Sequence, residues 1–406
     1  MIGLCDCNSF YASSEALFRP DLKKRPIVVL SNNDGIIVSL NQEAKKLGLA
    51  RGDAWFKVSD WAEKRGCVPF SSNYALYQSL SDRMMQELRE ITPEIEPYSI
   101  DEAFFTPEKN ADAKKLADRI IKDTGIPVSV GLARTKTLSK IANHIGKKLS
   151  SHAFEMTKEM EDAILARTPV EEIWGVGRRI TVKLNKLGIR TAKRLREQDD
   201  DFILKHFNVT LLRTVYELRG QEACYESDNV VSMQSGISFS HPISDYNELL
   251  SALAVEAGNL SQKLTEKNVL ASSFAFGIST SRFKENYECP FLSFKLPTAT
   301  NYQPVFMEIL SSFLGRIYNP AAFYTTGRCY AYDLVKEEDR PMDMFYDEER
   351  NEKRIRLTHA LSDIRVKYGE CLKTGLDMGL EQKDLMKRER KSPSYTTRFE
   401  ELPLVY

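Results

Sequence analysis

Along the chain the spacing of apolar residues switches between the period of a strand and that of a helix, and one order of switches occurs twice. Residues 1–6 read as a short apolar strand ending on an acid, Asp6. Asn8 and Ser9 then offer an N-cap, which predicts a helix over 9–18. A β-rich run over 26–30 meets the turn Asn33-Asp34-Gly35, which leads into a second run over 36–40. Helical stretches follow over 41–47, stopping at Gly48, and over 53–64. Residues 74–91 carry Leu76, Leu80, Met84 and Leu88 at helical spacing. Strands over 94–99 and 102–106 flank the tight sequence Ser99-Ile100-Asp101, followed by a helix over 111–124 and an apolar strand over 127–133. With 10–71 set aside, the order is strand, helix, strand, strand, helix, strand. That is a ferredoxin-like βαββαβ unit with an insertion after its first strand.

The order returns over 230–239, 246–266, 269–280, 291–296, 305–318 and 327–334. Leu249, Leu253, Leu260 and Leu264 share one face of the long helix, and Phe274, Phe276 and Ile278 alternate along a strand. Residues 154–221, between the two units, read as all-helical. After about residue 335 come a charge-rich linker, one amphipathic helix over 355–368 and a polar tail. The fold class is therefore α+β and multi-domain.

Composition narrows this picture. A chain of 406 residues with 42% hydrophobic and 28% charged residues is an ordinary folded protein of two to four domains, not a disordered or collagen-like one. Lys plus Arg and Asp plus Glu each number 57, so the net charge is zero. Bulk positive charge is excluded as a grip on nucleic acid, and any anion-binding face must be local. Two stretches lack acids. Residues 124–154 carry Arg134, Lys136, Lys140, Lys147 and Lys148; residues 173–196 carry Arg178, Arg179, Lys183, Lys186, Arg190, Lys193, Arg194 and Arg196. The seven cysteines are odd in number and scattered, which points to a reducing compartment. Cys5-Asp6-Cys7 has no second Cys/His pair at zinc spacing and reads as strand residues. No apolar run approaches a membrane span of about 20 residues, and the expected location is cytoplasmic.

The topology also makes a chemical prediction. In a βαββαβ sheet the first and third strands are adjacent and antiparallel, so the end of one lies beside the start of the other. Asp6 stands at the first place, Asp101 and Glu102 at the second. Three carboxylates gathered there repel one another unless cations lie between them, and oxygen ligands select Mg²⁺ or Mn²⁺ over zinc. Taken singly, each acid has a plainer reading as a solvated turn residue.

The residues around these acids carry a family resemblance. Asp6-Cys7-Asn8-Ser9-Phe10-Tyr11-Ala12 and Tyr98-Ser99-Ile100-Asp101-Glu102-Ala103 resemble the two catalytic motifs of Y-family translesion DNA polymerases. The likeness continues through Leu138-Ser139-Lys140-Ile141-Ala142-Asn143 and Ile173-Trp174-Gly175-Val176-Gly177 and covers the whole chain. Trp174-Gly175-Val176-Gly177-Arg178-Arg179 and the tail Ser392-Pro393-Ser394-Tyr395-Thr396-Thr397-Arg398 narrow it to the UmuC branch, that of the catalytic subunit of bacterial DNA polymerase V. The resemblance implies a palm over 1–9 and 72–153, inserted fingers over 10–71 and an all-helical thumb with helix-hairpin-helix over 154–221. It further implies a linker over 222–233, a βαββαβ little finger over 234–336, and a C-terminal linker, helix and tail over 337–406 for partner binding. The implied activity is error-prone translesion synthesis in an SOS-type damage response. A dNTP would be added to a primer 3′-OH on a template by two-metal nucleotidyl transfer. A catalytically silent DNA-repair scaffold of the same fold remains the alternative, although all three acids are present here. A cyclase is disfavoured by the helical segment after the palm.

By the same resemblance Asp6, Asp101 and Glu102 hold two Mg²⁺ ions, which Mn²⁺ can replace, with the Cys7 carbonyl as a backbone ligand. Many relatives have a second Asp where Asn8 stands, at a position that is not a required ligand. Tyr11 matches the steric gate that leaves no room for a ribose 2′-OH; its plainer reading is a core aromatic. The amides of Phe10 and Tyr11 lie at a helix start, a natural anion site. Ser39 and Lys45 match positions that touch the triphosphate, and Lys147 matches a palm lysine that does the same. Many relatives carry Arg at Lys45, and an ammonium is a point charge, not a fork. No role is carried to Gln42, where many have Tyr.

Gly175 and Gly177 would offer backbone amides to a DNA phosphate, with Arg178 and Arg179 adding charge; such contacts hold a duplex without reading it. The two acid-free stretches then suggest a one-sided DNA channel, against the plainer reading of solvated basic faces. Local strips on a neutral chain hold DNA weakly, so tethering is expected. In UmuC-like proteins a sliding-clamp motif follows the little finger. Pro341-Met342-Asp343-Met344-Phe345 occupies that place without the usual leading Gln, with Met342, Met344 and Phe345 as the clamp contacts and a loose linker as the competing reading. A processed UmuD-like dimer and RecA are the partners implied for the C-terminal region. Its helix, with Ile355, Leu361 and Ile364 near one face, could equally pack on its own domain.

Overall fold

The structure, a computed structural model, describes residues 1–92, 94–223, 231–340, 348–368, 386–396 and 398–402. It divides into two compact units. The first holds Met1–Ser31, Gly35–Glu226 and Arg390–Tyr406; the second holds Asn32–Asp34 and Ser227–Glu389.

In the first unit, strand β1 (Ile2–Cys7) leads into helix α1 (Phe10–Leu17). Ser9 makes the turn in the left-handed region at φ 50° without a side-chain cap. The cap expected from Asn8 is not made either, because its side chain is engaged with Ser129 across the sheet. The insertion builds strands β2 (Ile27–Leu30) and β3 (Ile37–Leu40), helices α2 (Gln42–Lys46) and α3 (Trp55–Lys64), and a strand the apolar pattern did not mark, β4 (Val68–Ser71). β4 lies parallel to β2 at a sheet edge, where Pro69 is tolerated.

Helix α4 (Tyr74–Ile91), capped by Asn73, is followed by strands β5 (Ile95–Pro97) and β6 (Glu102–Phe105). Helix α5 (Ala113–Thr124) starts at the Asp112 cap and stops at Gly125, whose φ of 74° suits glycine. Strand β7 (Val128–Ala133), helix α6 (Lys136–Gly146) and strand β8 (Ala153–Glu155) complete a five-stranded sheet in the order β5-β6-β1-β7-β8. β1 is thus central and antiparallel to both β6 and β7.

The stretch read as all-helical therefore begins on a strand, since Phe154 and Glu155 lie in β8 and pair with β7. Helices α7 (Lys158–Arg167), α8 (Arg178–Lys186), α9 (Ala192–Arg196), α10 (Asp200–His206) and α11 (Val209–Leu218) follow. They close on a core of Leu165, Leu184, Leu195, Ile203, Leu211 and Val215 that continues into Ala133 of β7 and Leu138, Ile141 and Ala142 of α6.

The second unit contains β9 (Ser232–Ile243), α12 (Tyr246–Glu266), β10 (Val269–Thr280), β11 (Phe291–Thr300), α13 (Gln303–Phe313), β12 (Tyr324–Lys336) and α14 (Glu348–Tyr368). The expected leucine face of α12 and the phenylalanines of β10 form its core. Its element order matches the first sheet, but its strand order, β11-β10-β12-β9, puts the first strand at an edge. Only the first unit places its opening strand where acids from two segments can meet. On α14 Thr358 and Ser362 are buried with Ile355 and Leu361 half-buried beside them, while Ile364 is exposed, so the packed face overlaps the expected one but is turned away from Ile364. The tail, read as a polar partner-binding segment, is partly structural: Tyr395 is 7% exposed and belongs to the core of the first unit.

Candidate active site

Asp6 and Glu102 are direct cross-strand partners on β1 and β6. The Cys7 amide donates to the Asp101 carbonyl at 2.9 Å, while the Tyr98 and Ser99 amides donate to the Glu102 carbonyl at 3.0 and 3.1 Å. These bonds fix the turn between β5 and β6, and the Ser99 hydroxyl donates to Asp101 Oδ1 at 2.7 Å. Burial lifts the Asp6 carboxyl to about 6; Lys147 pulls it down, and the charges of Glu102 and Asp101 push it further up. Burial also pushes the Cys5 thiol up to about 12 and the Cys7 thiol well above its usual value. Both thiols are free and inert, in keeping with a strand role.

Two lysines hold these acids. Lys147 Nζ lies 2.6 Å from Asp6 Oδ1, and Lys140 Nζ lies 2.5 Å from Glu102 Oε2. Lys140 is also ringed by aromatics, with its ammonium 4.5 Å from the Tyr98 ring centre and 5.2 Å from that of Trp174. Trp174 Nε1 donates to the Tyr98 hydroxyl at 3.2 Å. Both lysines are delivered by α6, which lies directly on β7. A Cβ at Gly131 would stand 2.3 Å from the Asn143 amide nitrogen, and Asn143 Nδ2 donates to the Ser129 carbonyl at 2.6 Å. The sequence marked Lys140 as part of a basic stretch and of the motif Leu138-Ser139-Lys140-Ile141-Ala142-Asn143, but gave it no partner. Its spacing from Lys147, two helical turns, is the signal that could have paired them.

Among the described residues no three His, Cys, Asp or Glu side chains stand close enough to enclose a metal ion. The acids that line this edge are instead neutralised by ammonium groups. The half-buried carboxylates are hard oxygen donors, and the ammonium groups of Lys147 and Lys140 already lie against Asp6 and Glu102 where divalent cations of the Mg²⁺ type would fit.

Of the other expected residues, Phe10 is buried and Tyr11 half-buried, its ring stacked on that of Tyr77. Ser39 is 4% exposed, and its hydroxyl accepts from the Ala12 amide at 3.3 Å, so it secures the start of α1. Lys45 is exposed in the last turn of α2. Asn8 is turned away to Ser129, as suits a position that is not a ligand. Gly175 has φ 86°, which a side chain would strain, and Gly177 caps α8. Arg178 and Arg179 are exposed in the first turn of α8. Lys193 and Arg196, by contrast, are held by Asp162 at 3.1 and 2.6 Å. Met342, Met344 and Phe345 lie outside the described residues. No described helix is long and apolar enough to cross a membrane.

Comparison with known proteins gives a consistent set of likenesses. The family described as impB/mucB/samB matches residues 5–144, and its C-terminal domain matches residues 230–342. A domain of unknown function matches residues 356–405. The chain is 38% identical to Protein UmuC of Salmonella typhimurium over 99% of both chains, and 35% identical to Protein SamB of Salmonella typhimurium over the same shares. It is 31% identical to DNA polymerase IV 1 of Bacillus subtilis, over 66% of this chain and 67% of that one. In fold it is similar to a Y-family DNA polymerase chimera built from Dbh and Dpo4, with a TM-score of 0.65 at 19% identity, covering 83% of this chain and all of that one. An insertion ternary complex of Dbh DNA polymerase superposes with a TM-score of 0.56 at 19% identity, over 83% of this chain and all of that one.

Proposed function

The chain belongs to the impB/mucB/samB family, the UmuC-like branch of the Y-family DNA polymerases, and from that premise we propose that it copies damaged templates by two-metal nucleotidyl transfer. The observation that carries this reading is the cross-strand pairing of Asp6 with Glu102, with Asp101 tied to the same strand end. Asp6, Asp101 and Glu102 with the Cys7 carbonyl would hold the cations, Mg²⁺ in the first place and Mn²⁺ as its substitute. Two such ions, when bound, would activate the primer hydroxyl and offset charge on the departing pyrophosphate.

The protein's own share is positioning. Lys147 pairs with Asp6 and can trade that carboxylate for a triphosphate oxygen; Lys140 restrains Glu102 from inside its aromatic cage. The amides at the start of α1, at Phe10 and Tyr11, face negative charge well, and Ser39 keeps that helix start in place. Lys45 adds a charge for the triphosphate. Tyr11 sets a flat ring where a 2′-OH would otherwise fit. Gly175, Gly177, Arg178 and Arg179 take phosphates of the primer-template. The family and the end-to-end identity with UmuC support an SOS-type role in the cytoplasm, with a processed UmuD-like dimer, RecA and the sliding clamp as partners.

The test is primer extension past an abasic site in Mg²⁺, with and without a UmuD-like dimer and a RecA filament. Asp101→Ala is expected to lose more than about a hundredfold in rate. No extension by the native chain would leave the scaffold, and full activity in Asp101→Ala would remove that acid from the catalytic set. For the clamp, Met344→Ala with Phe345→Ala is expected to abolish clamp-stimulated extension, and unchanged stimulation would end that assignment.

A further inference from the structure

The helix that carries the sugar gate is finished by residues from the far end of the chain. The Tyr11 ring lies flat on the Tyr77 ring, with centroids 4.3 Å apart and planes 14° apart. Tyr77 is fully buried, and its hydroxyl donates to Glu15 Oε1 at 2.6 Å. Glu15 lies one turn after Tyr11 on α1 and is fully buried. Its Oε2 has no hydrogen-bond partner among the described residues. Ser392 Oγ accepts from Asn73 Nδ2 at 2.9 Å. Asn73 caps α4, the helix that bears Tyr77 one turn later. At the other end of α1, Tyr395 stacks on Phe18 with centroids 4.6 Å apart and planes 15° apart. The segment is also clamped upstream, where the Arg390 amide donates to Ser71 Oγ at 2.9 Å and the Ser71 amide to the Arg390 carbonyl at 3.0 Å.

We propose that residues 390–396 are a brace for sugar selection. Ser392 holds the Asn73 side chain at the start of α4, Tyr395 holds Phe18 at the end of the gate helix, and Glu15 holds Tyr77 behind Tyr11. The inference rests on Tyr11 acting as the gate under the proposed function. A ring excludes a 2′-OH only if it cannot retreat, and Tyr77 is what stands in its way. Tyr77, Glu15, Ser392 and Tyr395 are positioning residues that act through Tyr11.

The experiment measures kcat and KM for insertion of a dNTP and of the matching rNTP by the full chain, together with the accessory proteins its extension needs. Tyr77→Phe, Ser392→Ala and Tyr395→Ala are each expected to lower the dNTP-over-rNTP preference about tenfold, chiefly through a lower KM for the rNTP. Tyr395→Phe keeps the stack on Phe18 and is expected to keep the preference. If Tyr395→Ala fails to fold, Ser392→Ala and Tyr77→Phe decide. Three variants with native preference, beside a Tyr11→Ala that loses it, overturn the brace and leave the gate intact. A Tyr11→Ala with native preference overturns the gate, and the brace with it. Equal losses for both nucleotides, or a Tyr395→Phe as impaired as Tyr395→Ala, also overturn the brace.

Discussion

Glu15 is a carboxyl whose proton the fold controls. Burial lifts it from 4.5 to about 7, against the opposing pull of the Tyr77 hydroxyl. The folded chain therefore keeps a proton that the unfolded chain releases between those two values. Glu15's contribution to stability is complete below pH 4.5 and falls by about 3 kcal/mol as the pH rises to 7. Glu15→Gln removes the titration and leaves an oxygen for Tyr77. Its thermal midpoint is expected to exceed the native one near pH 8 and to match it near pH 4.5; parallel pH profiles for the two chains would refute this. The sequence hid the role, since a polar pair such as Ser14-Glu15 within a helical pattern reads as outward-facing. The carboxylates Asp6, Asp101 and Glu102 were legible because strand order alone brings them together. Lys140 was not, because its partner lies on a different element.

Among elements, α6 depends most on a single position. Gly131 lets the helix lie against β7, and the helix in turn presents both Lys140 and Lys147 to the acids. Gly131→Ala would press a methyl into backbone, not into a yielding side chain. The expected cost is about 1–3 kcal/mol of stability, read by denaturant unfolding, with extension activity lost in step as the lysines shift. An unchanged unfolding midpoint would show that the helix can move aside freely. Long periodic elements such as α4, α12 and β10 were plain in the sequence, residue for residue. β4 and β8 were not, being short and formed by the strands they pair with. On α14 the packed face takes Thr358 and Ser362 between the half-buried Ile355 and Leu361 and leaves Ile364 outside.

For the molecule as a whole, charge is balanced and DNA affinity must come from particular cations. Arg178 and Arg179 stand exposed at the start of α8, whereas Lys193 and Arg196 are already held by Asp162. Arg178→Ala with Arg179→Ala is expected to reduce the slope of log affinity against log salt by about 2, followed by anisotropy of a labelled primer-template. Lys193→Ala with Arg196→Ala is expected to change it less, and equal effects would mean that the Asp162 pairing does not persist on DNA. The recurrence of strand, helix, strand, strand, helix, strand was legible from the apolar pattern. The docking of the tail was not, since Ser392 finds its partner Asn73 across 319 positions, a separation no local pattern records.

That separation sets a sequence of events in synthesis. Asn73 leaves the ribosome long before Ser392 exists, so the nascent polymerase can assemble its acids and lysines while Asn73 still lacks that partner. On the brace proposed above, a protease cut ahead of Arg390 would leave the acids and lysines in place and let Tyr77 give way behind Tyr11.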